Sequence, residues 1–267
     1  MGFFRQFRQR HFPATKLPPI QDSTWSQLRN YYPLLGRLPP AEAAELRELS
    51  DTFLADKYIE GVQGLTLSAE MPRVIALFAC LPILKLGLDW YDDWNNIFVT
   101  PAAFTGIRRD YHPGGVVSEW EEDLSGEVMS LGPVALSWDD VRQAGQGRCF
   151  NVVIHEMAHK LDGRNGRELD GMPALSSAAA QRWQSSFNNA YADFCQQVEA
   201  AERGLESSER SRLARLPIDE YGAESPVEFF AVVCEAFFER PLRLRLEWPD
   251  LYICLADFFH LDPGGWI

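Results

Sequence analysis

Two histidines and a glutamate fall close together in the segment 151–163, NVVIHEMAHKLDG, and form the motif HExxH. On a helix, His155 and His159 lie one turn apart on the same face, because four residues separate them. Two neutral imidazoles at that spacing suit a tetrahedral Zn²⁺ site. Glu156 lies about 100° round the helix, where it can accept a proton from water at the metal. The motif therefore predicts zinc-dependent hydrolysis.

The residues around the motif favour a buried helix. Apolar side chains occupy positions 152–154, 157, 158 and 161, and Gly163 is expected to end the helix as its C′ residue. The alternative is an ordinary core helix with two hydrogen-bonded histidines and a solvated glutamate. Two buried histidines on one stripe need polar partners in either case, so the context favours a metal site.

A zinc site of this kind needs a third protein ligand. The extended motif HExxHxxGxxH is absent, because Asp162 and Asn165 occupy the positions of its glycine and its last histidine. The other histidines lie in the N-terminal arm, in a His-Pro-Gly-Gly turn and near the C-terminal end: His11, His112 and His260. The remaining possibility is a glutamate from a separate helix, as in the gluzincin arrangement of two histidines and one glutamate.

Glu228 is the best candidate for this ligand. It lies in YGAESPVEFFAVVCEAFFERP, residues 221–241, where Ser225 and Pro226 predict the start of a helix. A carboxylate in such an apolar helix is costly unless it is paired or binds a metal. Ser225 and Glu228 also match a capping box, and the local sequence leaves both possibilities open. Glu235, on nearly the same face, is a rival ligand or a supporting partner.

Asp162 could support the site from the same helix. It follows His159 by three residues and is expected to accept a hydrogen bond from an imidazole N–H, which fixes the orientation of the ring. The alternative is a carboxylate at the C-terminal end of the helix, where the helix dipole slightly disfavours it.

A strand upstream of the motif is the candidate for substrate binding. We expect residues 133–138 to form an edge strand, in which a peptide could add to Val134, Ala135 and Leu136 by main-chain hydrogen bonds. The alternative is a sheet edge that Gly132-Pro133 only protects from pairing.

The elements that must position these residues indicate an α+β fold that is mainly α. Residues 21–90 have helical patterns, and residues 91–140 contain segments rich in β-branched and aromatic side chains. Helices are then predicted at about 150–161, 177–203, 225–240 and 246–259 within the catalytic part, 141–267. We therefore expect a small antiparallel sheet packed against the HExxH helix and its flanking helices.

The composition narrows the function classes. With 267 residues, 46% hydrophobic and 24% charged, the chain can bury a large core, which excludes a disordered tail protein and a disulfide-stapled miniprotein. The 25 Lys and Arg residues against 38 Asp and Glu give a net charge of −13. This charge argues against direct nucleic-acid binding and against anionic membranes. Five scattered cysteines indicate free thiols in a reducing compartment.

The N-terminal residues differ from the rest of the chain. Residues 1–20 form a basic, Phe-bearing arm, and residues 21–267 are expected to form a single compact domain because no repeat or low-complexity linker divides them. The arm has no continuous apolar core of a secretory signal, and the apolar run 74–84 is too short to span a membrane. We expect a cytoplasmic protein whose arm docks on the acidic body. A weaker hypothesis gives the arm a membrane-surface role.

Three blocks, HEMAHKLDG, YGAESPVEFFAVVCEAFFERP and GPVALSWDD, resemble the Mlc titration factor A (MtfA) family of bacterial zinc metallopeptidases. The resemblance covers essentially the whole chain. The block with the tyrosine and the glutamate is also similar, more distantly, to the catalytic domain of anthrax lethal factor. The resemblance implies that His155, His159 and Glu228 hold one Zn²⁺ per chain, that Glu156 is the general base and that Tyr221 assists catalysis.

The resemblance also implies properties that composition and spacing do not show. Peptidase activity in the family is aminopeptidase-like on small substrates. The family binds Mlc, a glucose-responsive transcriptional repressor, and so affects expression of the glucose phosphotransferase system. Two hypotheses follow: an active zinc peptidase acting on peptide bonds, or a non-catalytic, repressor-titrating binding protein whose zinc site is structural or latent.

Overall fold

The computed structural model describes residues 17–112, 116–124, 126–128, 132–166, 168–203 and 216–266. Within these ranges the fold is α+β and mainly helical, as predicted. The helices are α1 (Asp22–Tyr31), α2 (Pro33–Gly36), α3 (Pro40–Asp56), α4 (Glu70–Cys80), α5 (Trp138–Val141), α6 (Val152–Asp162), α7 (Ser177–Glu202), α8 (Pro226–Glu239), α9 (Pro241–Glu247) and α10 (Pro249–Phe259). The strands are β1 (Tyr58–Gly61), β2 (Asn96–Thr100), β3 (Phe104–His112), β4 (Val116–Leu124), β5 (Gly126–Val128) and β6 (Val134–Ser137).

The main sheet has the strand order β1-β2-β6-β5. β1, β2 and β6 are parallel, and β5 pairs antiparallel with β6. The expected antiparallel sheet is therefore wrong for the three parallel strands. The chain crosses back through α4 before β2, and through the β3–β5 segments before β6, so it enters each strand in the same direction. β3 and β4 form a separate antiparallel pair.

Residues 134–137 form an interior strand and not the predicted edge. β6 pairs on one side with β2 and on the other with β5. The prediction was wrong because residues 126–128 occupy the outer side of β6. Val134, Ala135 and Leu136 are fully buried. Their role in substrate binding stays a prediction, and main-chain addition of a peptide would now require β5 to separate from β6.

Three apolar helices form the centre of the fold. Nearly every residue of α4 and α6 is buried, and so is α8 from Phe229 to its end. α6 packs against both α4 and α8, so the motif helix lies between two apolar neighbours. The predicted helix 246–259 is divided at Pro249, which has no backbone N–H to continue a preceding helix.

The two ends of α6 are fixed in different ways. Asn151 caps the N-terminus, because its side-chain oxygen accepts a hydrogen bond from the backbone N–H of Ile154 at 3.2 Å. Gly163 directly follows the last residue of α6, so the helix ends where predicted, but Gly163 is its C-cap and not its C′ residue. It has a right-handed φ of −62° and starts a short 3-10 turn, and Gly166 takes the left-handed conformation with a φ of 75°.

The described end of the N-terminal arm lies against the body. The carbonyl of Pro18 accepts a hydrogen bond from Arg73 Nη2 at 2.9 Å, and the backbone N–H of Ile20 donates to Asp51 Oδ1 at 3.2 Å. Residues 1–16 lie outside the described residues, so the two hypotheses for the basic arm stay predictions. Among the described helices, none is long and apolar enough to cross a membrane.

A buried lysine fixes the start of the main sheet. Lys57 directly precedes β1 and is fully buried. Its Nζ donates to the carbonyls of Tyr91 at 2.5 Å and Trp94 at 2.7 Å, in the segment that leads into β2, and pairs with Asp56 at 2.8 Å. The lysine thus ties the segment before β1 to the segment before β2.

We expect Lys57→Met to lower the free energy of unfolding by about 2–4 kcal/mol, because two buried carbonyls lose their donor. Urea unfolding measures this change. Lys85→Met is the matched control, since Lys85 is partly exposed and pairs with Glu45 on the surface; its loss should stay below about 1 kcal/mol. Equal unfolding midpoints for the two variants would contradict the role given to Lys57.

Candidate metal centre

Two helices bring the three predicted ligands together. α6 carries His155 and His159, and the first turn of α8 carries Glu228. Glu228 Oε2 lies 3.1 Å from His155 Nε2 and 3.5 Å from His159 Nε2. One donor atom from each residue lies within 4.8 Å of the other two, and among the described residues this is the one such group of three that could hold a metal ion. Two imidazole nitrogens and one carboxylate oxygen are a donor set that suits Zn²⁺.

The start of α8 explains how Glu228 reaches this position. Ser225 is the N-cap, and its hydroxyl accepts a hydrogen bond from the backbone N–H of Glu228 at 3.2 Å, while Pro226 opens the helix. The cap therefore holds the backbone of Glu228, and the carboxylate lies beside the histidines. Both possibilities in the sequence are partly realised, because the Ser225 cap forms and the Glu228 side chain still lies at the metal centre.

The charges in the centre stabilise one another. Burial alone raises the pKa of Glu228, but its hydrogen bonds with His155 and His159 outweigh burial and hold that pKa far below its usual range. Burial alone lowers the pKa of His155, whereas its hydrogen bonds to Glu228 and Glu235 raise it well above the ordinary value. A metal ligand must be deprotonated, so a metal ion and a proton compete for this imidazole.

Glu235 contacts the other nitrogen of the same imidazole. Its Oε1 lies 2.8 Å from His155 Nδ1, and its Oε2 accepts a hydrogen bond from the backbone N–H of Asn151. Glu228 is on the Nε2 side of the ring. The geometry therefore favours Glu228 as the ligand and Glu235 as the partner that orients the ring, an arrangement common for histidine ligands of metals.

A third carboxylate of α8 holds the loop before the motif helix. Glu239 accepts hydrogen bonds from the backbone N–H groups of Gly145 at 2.8 Å and Gly147 at 2.6 Å, and from Asn151 Nδ2 at 3.3 Å. The roles of Asn151 and Glu239 were not predicted from the sequence. Asn151 carried a usable signal, an N-cap residue just before an apolar helix. Glu239 carried none, because its partners are about 90 residues away in the chain.

Asp162 was predicted to contact an imidazole, and it does not. Its buried carboxylate accepts backbone N–H groups from Asp170 at 3.1 Å, Gly171 at 2.8 Å and Met172 at 3.1 Å. His159 Nδ1 has no hydrogen-bond partner in the part of the chain that the structure describes. The prediction was wrong because the loop after α6 folds back, and its backbone N–H groups bind the Asp162 carboxylate.

This loop follows α6 in the chain and packs against the start of α8. Gly171 has a φ of 79°, and a Cβ at this residue would lie 2.6 Å from the carbonyl oxygen of Pro226 and 2.7 Å from Phe187 Cζ. Its carbonyl accepts a hydrogen bond from Trp183 Nε1 at 3.1 Å. Asp162 therefore holds a glycine against the backbone two residues before Glu228.

We expect Gly171→Ala to lower the free energy of unfolding by about 2–5 kcal/mol, since it adds overpacking to left-handed strain, and to weaken Zn²⁺ binding. Gly166→Ala is the control, because Gly166 is also left-handed, with a φ of 75°, but nothing in the described part lies within 4 Å of its Cβ. It should lose only about 1–2 kcal/mol. Urea unfolding and chelator competition measure both effects, and equal losses would refute the packing argument.

The two predicted catalytic residues lie beside the ligands. Glu156 is on α6 between the two histidines and is only 3% exposed. Tyr221 lies in a 3-10 turn, Glu220–Ala223, just before α8, and its ring centroid is 6.1 Å from that of His155. The fold thus brings every residue of the predicted catalytic set to one place, although residues 156 and 221 are far apart in the chain.

Comparison with known proteins agrees with this geometry. The sequence pattern of the glucose-regulated metallo-peptidase M90 family matches residues 4–260. The chain belongs to this family. An M90 metallopeptidase uses a bound metal, and the cluster of His155, His159 and Glu228 gives this member a site for one.

Curated relatives of this M90 member carry the name Mlc titration factor A. Those of Klebsiella pneumoniae (strain 342) and Shigella flexneri serotype 5b (strain 8401) are 32% identical to the chain over 241 residues. That of Escherichia coli O127:H6 (strain E2348/69 / EPEC) is 33% identical over the same length. Each match covers 86% of this chain and 83% of the relative.

In this M90 centre, Glu235→Gln should weaken Zn²⁺ binding by about 10- to 100-fold, because the imidazole of His155 loses the carboxylate that orients it. Chelator competition measures the affinity. Glu239→Gln is the matched control: it lies one turn further along α8 and is equally buried, but holds the 145–151 loop and no histidine. A larger loss of affinity in Glu239→Gln than in Glu235→Gln would contradict this assignment.

Proposed function

We propose that this protein is a zinc-dependent peptidase with aminopeptidase-like activity on small peptides. The single observation that carries the proposal is the convergence of His155, His159 and Glu228, whose donor atoms lie within 4.8 Å of one another, beside a buried Glu156. In this proposal the three residues hold one Zn²⁺ per chain. Membership of a metallopeptidase family supports it.

The residues of the chain have distinct tasks in the proposed hydrolysis. When bound, Zn²⁺ supplies Lewis-acid chemistry, which polarises a carbonyl and lowers the pKa of water. Glu156 takes the proton of the attacking water as the new C–O bond forms, and delivers that proton to the amine nitrogen as the C–N bond breaks. The Tyr221 hydroxyl donates a hydrogen bond to the developing oxyanion, a contribution of about 3–4 kcal/mol for a donor of this type. Glu235 keeps His155 in orientation throughout.

We further propose that the protein acts in the cytoplasm and binds the repressor Mlc. Support for the partner is the name of its relatives, Mlc titration factor A, at 32–33% identity. Support for the compartment is the state of the cysteines, all of which are free thiols: Cys80, Cys149, Cys195, Cys234 and Cys254. The net charge of −13 favours a protein partner over direct contact with DNA.

A non-catalytic, repressor-titrating protein is the alternative function. In that case the metal centre would hold the ends of α6 and α8 together and would not turn over substrate. The name of the relatives favours this alternative as much as the first, because titration of a repressor requires binding and no hydrolysis. The two functions can also coexist on different surfaces.

Glu156→Gln should reduce hydrolysis of small chromogenic peptides by about 100- to 10,000-fold, because the proton acceptor is lost, and should leave the zinc content unchanged. Glu228→Gln should lose both the zinc and the activity, because one of three ligands is removed. Elemental analysis and a peptidase assay, run on wild type and both variants, measure these outcomes.

The same proteins separate the two functions when their binding to Mlc is measured as well. One zinc per chain without turnover in the wild type, together with Mlc binding that Glu156→Gln does not alter, would favour the titrating protein. Turnover that survives in Glu156→Gln would contradict the peptidase mechanism. Wild-type protein that binds no zinc would contradict both proposals for the centre.

A further inference from the structure

A second cavity lies beside the loop that Glu239 holds. It has a volume of about 330 Å³ and is lined by three arginines, Arg37, Arg240 and Arg243, by the aromatic ring of Trp266 and by Leu242. Gly147 of the loop forms another part of its wall. Its volume lies in the range typical of small-molecule sites, about 300–1,000 Å³. The cavity shares no residue with the metal centre.

The lining is positively charged within an acidic protein. The chain carries a net charge of −13, yet among the residues that the structure describes no aspartate or glutamate lines this cavity. The ion pairs that arginines form among the described residues involve a different set: Arg47, Arg142, Arg164, Arg182 and Arg203. Three arginines therefore line one cavity, and none of them forms an ion pair with a carboxylate of the described residues.

Two of these arginines are held in place by neutral partners. Arg240 Nε donates to the carbonyl of Gly147 at 2.9 Å. Arg37 Nη2 donates to the carbonyls of Phe238 at 3.0 Å and Glu239 at 3.2 Å, at the C-terminal end of α8. These bonds fix the side chains without cancelling their charge, which is how a site for an anion is prepared before the anion binds.

Arg37 also has an unused donor. Its Nε is buried and has no hydrogen-bond partner in the described part of the chain. Burial lowers the pKa of Arg37, and the nearby Glu239 offsets part of that shift. A buried donor without a partner is unfavourable, so the Arg37 guanidinium keeps hydrogen-bonding capacity beyond its contacts with the carbonyls of Phe238 and Glu239.

We infer that this cavity binds a small organic oxyanion, a phosphate monoester or a carboxylate attached to an apolar or aromatic group. Guanidinium groups bind both oxyanions through paired N–H donors. Trp266 and Leu242 give the apolar part of the ligand a surface to contact. The site stands apart from the peptidase proposal, since none of its residues takes part in metal binding or hydrolysis.

Isothermal titration calorimetry at constant ionic strength tests the site with four probes: phenyl phosphate, benzoate, inorganic phosphate and uncharged phenol. We expect an aromatic oxyanion to bind more tightly than inorganic phosphate, and phenol not to bind. Comparison of phenyl phosphate with benzoate tells which oxyanion is preferred. Amide hydrogen exchange should then show added protection of the loop around Gly147.

The variants locate the binding. Arg243→Gln should weaken binding about tenfold, because one charge-assisted contact is lost. Arg243 is exposed, so the substitution should leave the fold intact. Arg203→Gln removes the same charge from the end of α7, away from the cavity lining, and should have no effect. Glu228→Gln should also leave binding unchanged, which separates this site from the metal centre.

Three results would overturn the inference. The first is no binding of either aromatic oxyanion to the wild-type protein. The second is an equal loss in Arg243→Gln and Arg203→Gln, which would indicate attraction by overall charge. The third is a loss in Glu228→Gln without one in Arg243→Gln, which would assign the anion to the metal centre.

Discussion

The placement of three carboxylates on one apolar helix, two of them buried and the third, Glu228, largely covered, is the constraint on which the rest of the structure depends. α8 carries Glu228, Glu235 and Glu239 along a surface that is otherwise packed into the core. Buried carboxylates are tolerated only with partners, and α6 with the loop before it supplies them. Two carboxylates hold the imidazole of His155 from either side, at 3.1 and 2.8 Å. The metal centre and the packing of α6 on α8 are therefore one arrangement.

Buried charged groups of this fold also bind backbone groups. Lys57 holds the carbonyls before β2, Asp162 holds the loop that packs against α8, and Glu239 holds the loop before α6. Lys57 and Glu239 join segments that are not adjacent in the chain, and Asp162 holds the loop that follows its own helix. Because an unsatisfied buried group is costly, these bonds favour one arrangement of the loops over others. Precise placement of the metal ligands follows from that rigidity.

Two independent observations bear on function. The chain belongs to the glucose-regulated metallo-peptidase M90 family, and the geometry gives it a donor set for a metal beside a buried glutamate. The arginine cavity adds a positively charged surface next to the loop that caps α6. The molecule thus combines a candidate metal centre with a cavity whose arginine lining is opposite in charge to the protein as a whole.

The sequence by itself determined the features that depend on local spacing. Neighbours within one or two helical turns set three features: the HExxH motif, the helix start at Ser225-Pro226, and the apolar periodicity of α6 and α8. The tertiary structure alone decided the parallel direction of the main strands, the second partner of β6 and the partners of Asp162 and Glu239. It also gave Glu228 and Glu235 different positions, since the two carboxylates contact opposite nitrogens of one imidazole. The physical reason is that these choices are made by contacts between distant segments, whose positions no local pattern specifies.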